Sequence, residues 1–137
     1  MQTVTLPVVS AITAGVLIIA QMGLLFAVAG VRRSLGQSLG DGDNPRLIRA
    51  SRRHGNFAEN AAIFVISLAL LEMLGDARVF VIGLAIVFVI GRLLHAIGLS
   101  QTNTVNLWRI VGVVATAVAG VAVGVRLIML GLGHLQA

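Results

Sequence analysis

The strongest constraint in this chain of 137 residues is that no charged side chain occurs between Met1 and Val31. That stretch exceeds the roughly 20 apolar residues with which a helix crosses the hydrocarbon core of a bilayer. Three further apolar segments follow, so four spans are expected, at about 4–31, 56–74, 79–99 and 107–132. The pattern predicts an all-α integral membrane protein, a single four-transmembrane-helix bundle over residues 1–137.

Composition narrows the chemistry further. Hydrophobic residues make up 58% of the chain and charged residues 11%, with no cysteine, tyrosine or lysine. A disulfide scaffold, a cysteine or tyrosine nucleophile and a thiolate metal site are therefore excluded, and no metal site is predicted. The net charge of +5 would suit nucleic acid, but one tryptophan, no lysine and abundant aliphatic residues favour a lipid bilayer as the partner and no nucleic acid.

The arginines are distributed unevenly, and this predicts an orientation. Six of the ten lie in the first loop, 32–44, and at the start of the second helix: Arg32, Arg33, Arg46, Arg49, Arg52 and Arg53. The second loop has only Arg78. The positive-inside rule then places loops 1 and 3 in the cytoplasm and both termini outside, as expected in a bacterial inner membrane.

The second helix has clear start and stop signals. Asp43 or Asn44 can cap it, Pro45 suits its first turn and Gly75 can close it. Thirty residues of helix span about 45 Å, so segment 45–55 should extend into the cytoplasm. Its arginines suit either anionic lipid headgroups or a binding site, and the sequence leaves both interpretations open.

Some charges lie too deep for a simple span. The uncharged core of the second span has twelve residues, from Asn60 to Leu71, and that of the third has thirteen, from Val79 to Gly91. Ionisable side chains at such depth usually face a partner or a wet cavity. Arg92 is expected about 9 Å below the cytoplasmic surface, at a level shared with Glu59 and Arg109.

Polar residues form a stripe on one face of the second helix, at steps of three, four and three: Arg49, Arg52, Asn56 and Glu59. On the third helix, Arg92 and His95 likewise share a face. Such a set can hold a small ligand with two carboxylates and an amino group, since arginine binds carboxylates through paired hydrogen bonds. A salt-bridge network that only locks the helices together fits the same residues equally well.

Three smaller features also give expectations. Gln21 should form an interhelical hydrogen bond within the first span, and Glu72 and Arg126 could pair near the outer boundary. The spacing Gly120-x-x-x-Gly124 allows two helix backbones to approach closely, within a subunit or between subunits.

Two segments resemble the MAPEG family, the membrane-associated proteins of eicosanoid and glutathione metabolism. Arg52–Glu59, with the sequence RRHGNFAE, is similar to the family signature at the cytoplasmic start of the second helix. Gly91–Ala96, with the sequence GRLLHA, is similar to its third-helix motif. The chain therefore resembles a bacterial-type member, although Ile97 and Leu99 stand where several family enzymes carry tyrosines.

This resemblance implies a homotrimer that binds glutathione between subunits near the cytoplasmic face and acts on lipophilic small molecules. The residues that would hold glutathione are Arg49, Arg52, Asn56, Glu59, Arg92 and His95. Arg109 would activate the glutathione thiol, because a guanidinium lowers a thiol pKa, so the ligand would supply the sulfur that the chain lacks. The expected activity is that of a glutathione transferase or peroxidase. The alternative is a non-enzymatic trimeric membrane protein with structural buried charges.

Overall fold

A computed structural model describes residues 5–101 and 106–136 of the chain. It contains four helices: α1 (Val8–Leu35), α2 (Pro45–Met73), α3 (Arg78–Ser100) and α4 (Leu107–Leu135). All four are long and apolar enough to cross a membrane, and no strand occurs among the described residues. The predicted all-α, four-helix membrane fold is confirmed, and the protein is an integral membrane protein. Residue 4, where the first span was expected to begin, lies outside the described residues.

The first two helices differ in extent from the expected spans. α1 continues to Leu35, so Arg32 and Arg33 lie in its last turn, where cations suit the helix dipole. Gly36 then ends the helix with φ +65°, a left-handed conformation that glycine adopts without strain. The connecting loop is therefore 36–44, and the extension 45–55 is continuous with the second span in α2.

Both ends of α2 follow the signals in the sequence. The side chain of Asn44 accepts a hydrogen bond from the backbone N–H of Arg46 at 3.0 Å, which identifies Asn44 as the cap, and Pro45 begins the helix. Beyond the last turn, Gly75 has φ +83° and donates to the carbonyl of Glu72 at 3.1 Å. A second bond, from the N–H of Asp76 to the carbonyl of Leu71, completes the glycine-terminated helix end.

The core is a column of large side chains between α2 and α3. Phe64 of α2 stacks on Phe88 of α3, with ring centroids 3.6 Å apart and planes 4° from parallel. Further buried residues extend the column towards both ends: Phe57, Leu68, Leu71, Val81, Leu84, Ala119 and Val123. Large apolar side chains cover the outward faces, as expected for helices that face lipid rather than water.

Glycines bring α3 and α4 into close contact, but not the glycines of the G-x-x-x-G spacing. A Cβ added at Gly112 would lie 2.5 Å from the backbone nitrogen of His95, and one at Gly98 would lie 2.6 Å from that of Arg109. Gly120 and Gly124 instead face open space within the subunit. The close helix approach within one subunit is therefore made nearer the α3–α4 connection.

The alternating helix directions divide the charges between two halves of the bundle. The termini half, where α1 and α3 begin, contains two acids and two arginines: Glu72, Asp76, Arg78 and Arg126. The basic half, where α2 and α4 begin, contains the remaining three acids and eight arginines: Asp41, Asp43, Glu59, Arg32, Arg33, Arg46, Arg49, Arg52, Arg53, Arg92 and Arg109. The whole net charge of +5 therefore lies in the basic half.

Candidate functional site

Arg92 occupies the interior of the basic half, between α3 and α2. Its side chain is buried, and its Nη2 donates a hydrogen bond to the backbone carbonyl of Asn56. The guanidinium carbon lies 5.7 Å from the ring centroid of Phe57, within range of a cation–π contact. Its Nε is buried and has no hydrogen-bond partner among the described residues. The group is therefore anchored to α2 but retains unused donor capacity.

The polar stripe of α2 faces away from the subunit's own core. At about 100° per residue, Glu59 lies on nearly the opposite side of the helix from buried Phe57. Arg52 and Glu59 are exposed, while Arg49 and Asn56 are half-buried. The amide of Asn56 donates to the carbonyl of Arg52 at 3.0 Å, which orients it along the helix.

Glu59 and Arg92 lie close enough to interact electrostatically but do not pair. The charge of Glu59 acts on the Arg92 guanidinium. Within residues 5–101 and 106–136, however, the Glu59 carboxylate forms neither a hydrogen bond nor an ion pair. The salt-bridge lock between Glu59 and Arg92 or Arg52 is therefore not formed within the described subunit, and the carboxylate remains available to another cation.

His95 and Arg109 meet where α3 packs on the first turn of α4. His95 is 5% exposed, its ring contacts the backbone of Arg109, and its Nδ1 is buried without a partner in the described part of the chain. Asn106 joins the two helices: its Oδ1 accepts from the Arg109 N–H at 2.9 Å, and its amide donates to the Gly98 carbonyl at 2.8 Å. This cap fixes the backbone of Arg109 relative to α3.

Two further polar contacts in the basic half involve residues that were not predicted to belong to the site. Arg53 donates to the Ser100 hydroxyl at 2.7 Å and so ties α2 to the end of α3. Gln21 donates to the His54 Nε2 at 2.7 Å, which confirms the expected interhelical bond of Gln21 and identifies its partner on α2.

An asparagine before an apolar run is a cap signal, so Asn106 could have been recognised from the sequence.

The structure thus assembles the predicted residues into two groups. Arg92 joins Asn56 inside the subunit, and His95 joins Arg109 at the α3–α4 contact. Arg49 and Arg52 lie outside both groups, on the outward stripe of α2. Glu59 lies on the same stripe, and its charge acts on Arg92 without forming an ion pair.

In the termini half, Glu72 has a role that the sequence did not predict. Its carboxylate accepts hydrogen bonds from the α1 backbone N–H groups of Val9 and Ser10, both at 3.0 Å, and from the Ser10 hydroxyl at 2.9 Å. The residue before α1 is Pro7, whose side chain provides no cap. Glu72, which is 7% exposed, therefore caps α1 from another helix.

The expected pair of Glu72 with Arg126 is wrong. Arg126 instead forms two hydrogen bonds with Asp76, both 2.9 Å long. These bonds hold the pKa of Asp76 below its ordinary value, although burial acts in the opposite direction. Glu72 is unavailable to Arg126 because its oxygens are already bound to the start of α1.

Comparison with known proteins agrees with this architecture. The model of the MAPEG family matches residues 10–129, which include every residue of the candidate site and most of all four helices. A comparison with curated proteins gives no significant match. Since the family match covers most of its length, the chain belongs to the MAPEG family.

Proposed function

We propose that this chain is a bacterial inner-membrane protein that binds glutathione at the cytoplasmic side, between neighbouring subunits of a homotrimer. We further propose that it is a glutathione transferase or peroxidase acting on lipophilic electrophiles. The observation that carries the proposal is the outward polar stripe of α2, in a chain of a family that includes glutathione-dependent proteins. A stripe that faces away from its own subunit's core needs a second surface to enclose a ligand.

The residues of the stripe fit the chemistry of glutathione. At neutral pH the peptide has two carboxylates and one ammonium group. Arg49 and Arg52 match the carboxylates, because a guanidinium donates two parallel hydrogen bonds to such a group. The Glu59 carboxylate, which has no hydrogen bond or ion pair among the described residues, matches the ammonium. Its exposure makes it accessible to a ligand.

Bound glutathione would supply a thiol group. The role of the chain would be to hold this thiol and to stabilise its ionised form, the thiolate. Arg109 is the group proposed for this role. Its backbone is fixed by the Asn106 cap and by close packing on Gly98. A positive charge beside a thiol lowers its pKa and raises the thiolate fraction.

A specific observation favours a second candidate, a non-enzymatic membrane protein with structural buried charges. Arg92 is already engaged with the Asn56 carbonyl and the Phe57 ring. In that interpretation the buried polar groups only hold α2 and α3 together.

Binding of glutathione distinguishes the two candidates. We expect reduced glutathione at about 100 times its Kd to stabilise the full-length protein in detergent by about 2.7 kcal/mol, because a ligand specific to the native state shifts unfolding by mass action. Arg52→Ala should remove most of this stabilisation. Arg46→Ala is the matched control, since Arg46 is exposed on the same helix but lies outside the stripe.

Activity with a generic lipophilic electrophile is the second measurement. Arg109→Ala should retain the glutathione-dependent stabilisation while lowering the turnover, which separates thiol activation from binding. If glutathione does not stabilise the wild-type protein, the binding proposal is wrong and the structural candidate stands. If it stabilises the protein but no conjugation or peroxide reduction follows, only the enzymatic part is wrong.

A further inference from the structure

A groove runs along the termini half between α1 and α3, on the outer surface of the subunit. Its volume is about 440 Å³. Its two walls are matched rows of branched aliphatic side chains, each spaced by four residues: Val8, Ile12 and Val16 on α1, and Ile82, Ile86 and Ile90 on α3. All six are exposed within the subunit. The groove is therefore preformed by helix geometry.

The floor of the groove offers no polar group to an occupant. It includes Thr13 and Ala85, both buried. The Thr13 hydroxyl is engaged with its own helix, because it donates to the Val9 carbonyl at 2.7 Å. An occupant of this part must therefore be apolar along its length.

The dimensions fit one hydrocarbon chain. The groove runs along α3 from Arg78 to Ile90, and twelve helical residues rise about 18 Å. One leaflet of the hydrocarbon core is about 15 Å thick, half of the full core. Since the walls run along membrane-spanning helices, a chain in the groove would lie in the direction in which lipid tails already extend.

Arg78 is the charged residue that lines the groove. It lies at the mouth of the groove, the end at which α3 begins. It begins α3, where the helix dipole disfavours a cation. Both acids of the termini half form their hydrogen bonds elsewhere, Glu72 with α1 and Asp76 with Arg126, although the charge of Arg78 acts on the Glu72 carboxylate. Within residues 5–101 and 106–136, Arg78 has no hydrogen bond or ion pair. An anion from outside the subunit would therefore complement its charge.

We propose that this groove binds one acyl chain of an anionic phospholipid, with the headgroup phosphate held by Arg78. An apolar channel of one leaflet's length, with a single exposed cation at its mouth, matches the two chemical parts of such a lipid. A zwitterionic phospholipid brings its own ammonium group, which competes with Arg78 for the phosphate. The site therefore selects lipids of net negative charge.

The test uses the full-length protein in detergent micelles, titrated with phosphatidylglycerol or phosphatidylcholine of identical acyl chains. Bound lipid is counted by native mass spectrometry, and the oligomeric state is read from the same spectra. We expect phosphatidylglycerol to bind more tightly. Arg78→Gln should reduce that preference about fivefold, the contribution of one basic residue near an anionic lipid. Arg33→Gln, at an exposed arginine of the opposite half, is the matched control.

A second variant tests the groove itself. Ile86→Trp places a large ring between the walls at a residue that is 53% exposed, so the fold should tolerate it. It should lower the binding of both lipids and leave the oligomeric state unchanged. Equal binding of the two lipids, or an unchanged preference in Arg78→Gln, would contradict the proposal. A changed oligomeric state in either variant would show that a second copy of the chain covers the groove instead.

Discussion

The two halves of the bundle use their polar groups differently. In the termini half, the two acids are fully engaged: Glu72 caps α1, and Asp76 forms two hydrogen bonds with Arg126. In the basic half, the Glu59 carboxylate forms no hydrogen bond or ion pair among the described residues, and the buried Arg92 Nε and His95 Nδ1 have no hydrogen-bond partner there.

This difference separates polar groups that stabilise the fold from polar groups that can serve a ligand. A buried polar atom without a partner costs free energy, and such groups are often kept where function needs them. Apart from Arg78, which lines the proposed lipid groove, the charged groups of the termini half therefore serve the fold. The basic half retains binding capacity that its own subunit does not use, which fits the proposed glutathione site.

The largest effect is expected for Glu72→Ala. The substitution leaves the N–H groups of Val9 and Ser10 without their acceptor at a buried helix start, so the free energy of unfolding should fall by about 3 kcal/mol. Thermal unfolding in detergent, or titration with sodium dodecyl sulfate, measures it. Glu59→Ala is the control from the basic half and should change stability by less than about 0.5 kcal/mol. Equal losses from the two variants would contradict the contrast.

Gly112→Ala is expected to have the next largest effect. The added Cβ would lie 2.5 Å from the His95 backbone nitrogen, so α3 and α4 must separate, at a cost of about 2 kcal/mol. Gly131→Ala, in the same helix but facing open space, should be neutral or slightly stabilising. A neutral Gly112→Ala would mean that the helices of the basic half are loosely packed as well as polar.

Asp76→Asn should destabilise the protein less than either change, and in a pH-dependent way. The pKa of Asp76 is lowered by Arg126, so its ionised form stabilises the fold above the unfolded-state pKa, about 3.9. That contribution is lost as the pH falls through the lower folded-state pKa. The melting temperatures of the two proteins should therefore differ at neutral pH and converge in acid. A constant difference across this range would contradict the assignment.

The smallest effect on stability is expected for Glu59→Gln. Its carboxylate is exposed and has no partner among the described residues, so unfolding should change by less than about 0.5 kcal/mol. The same variant should lose most of the stabilisation by glutathione. Measuring both in one thermal-shift series separates a binding residue from a structural one. A large loss of stability without ligand would instead place Glu59 among the structural charges.

The sequence determined the helices well because its signals are local. Apolar segments of membrane-spanning length gave the four helices, and Asn44, Pro45 and Gly75 marked the ends of α2. These features act within one or two turns, so their outcome depends little on the rest of the fold.

Contacts between distant residues were harder to predict, because several partners satisfy the same charge. Glu72 could pair with any nearby donor. The side-chain charges do not indicate that its partners are backbone N–H groups of α1. The glycine spacing in α4 indicated close packing, but the actual contact uses Gly98 and Gly112, whose positions depend on the α3–α4 connection. The spacing of the polar residues predicted the stripe of α2. Its outward direction could not be predicted, because that direction depends on which other residues of α2 pack into the core.

The cap on α1 also bears on how the protein assembles in the membrane. The carboxylate that completes the start of α1 is separated from it by 62 residues of chain and lies at the far end of the next helix. During synthesis, α1 enters the bilayer before its capping group has been made. Until α2 has crossed in the opposite direction and packed against it, the first N–H groups of α1 must bond to water or headgroups. The helical hairpin, rather than the single helix, is therefore the smallest unit that can settle at its final depth.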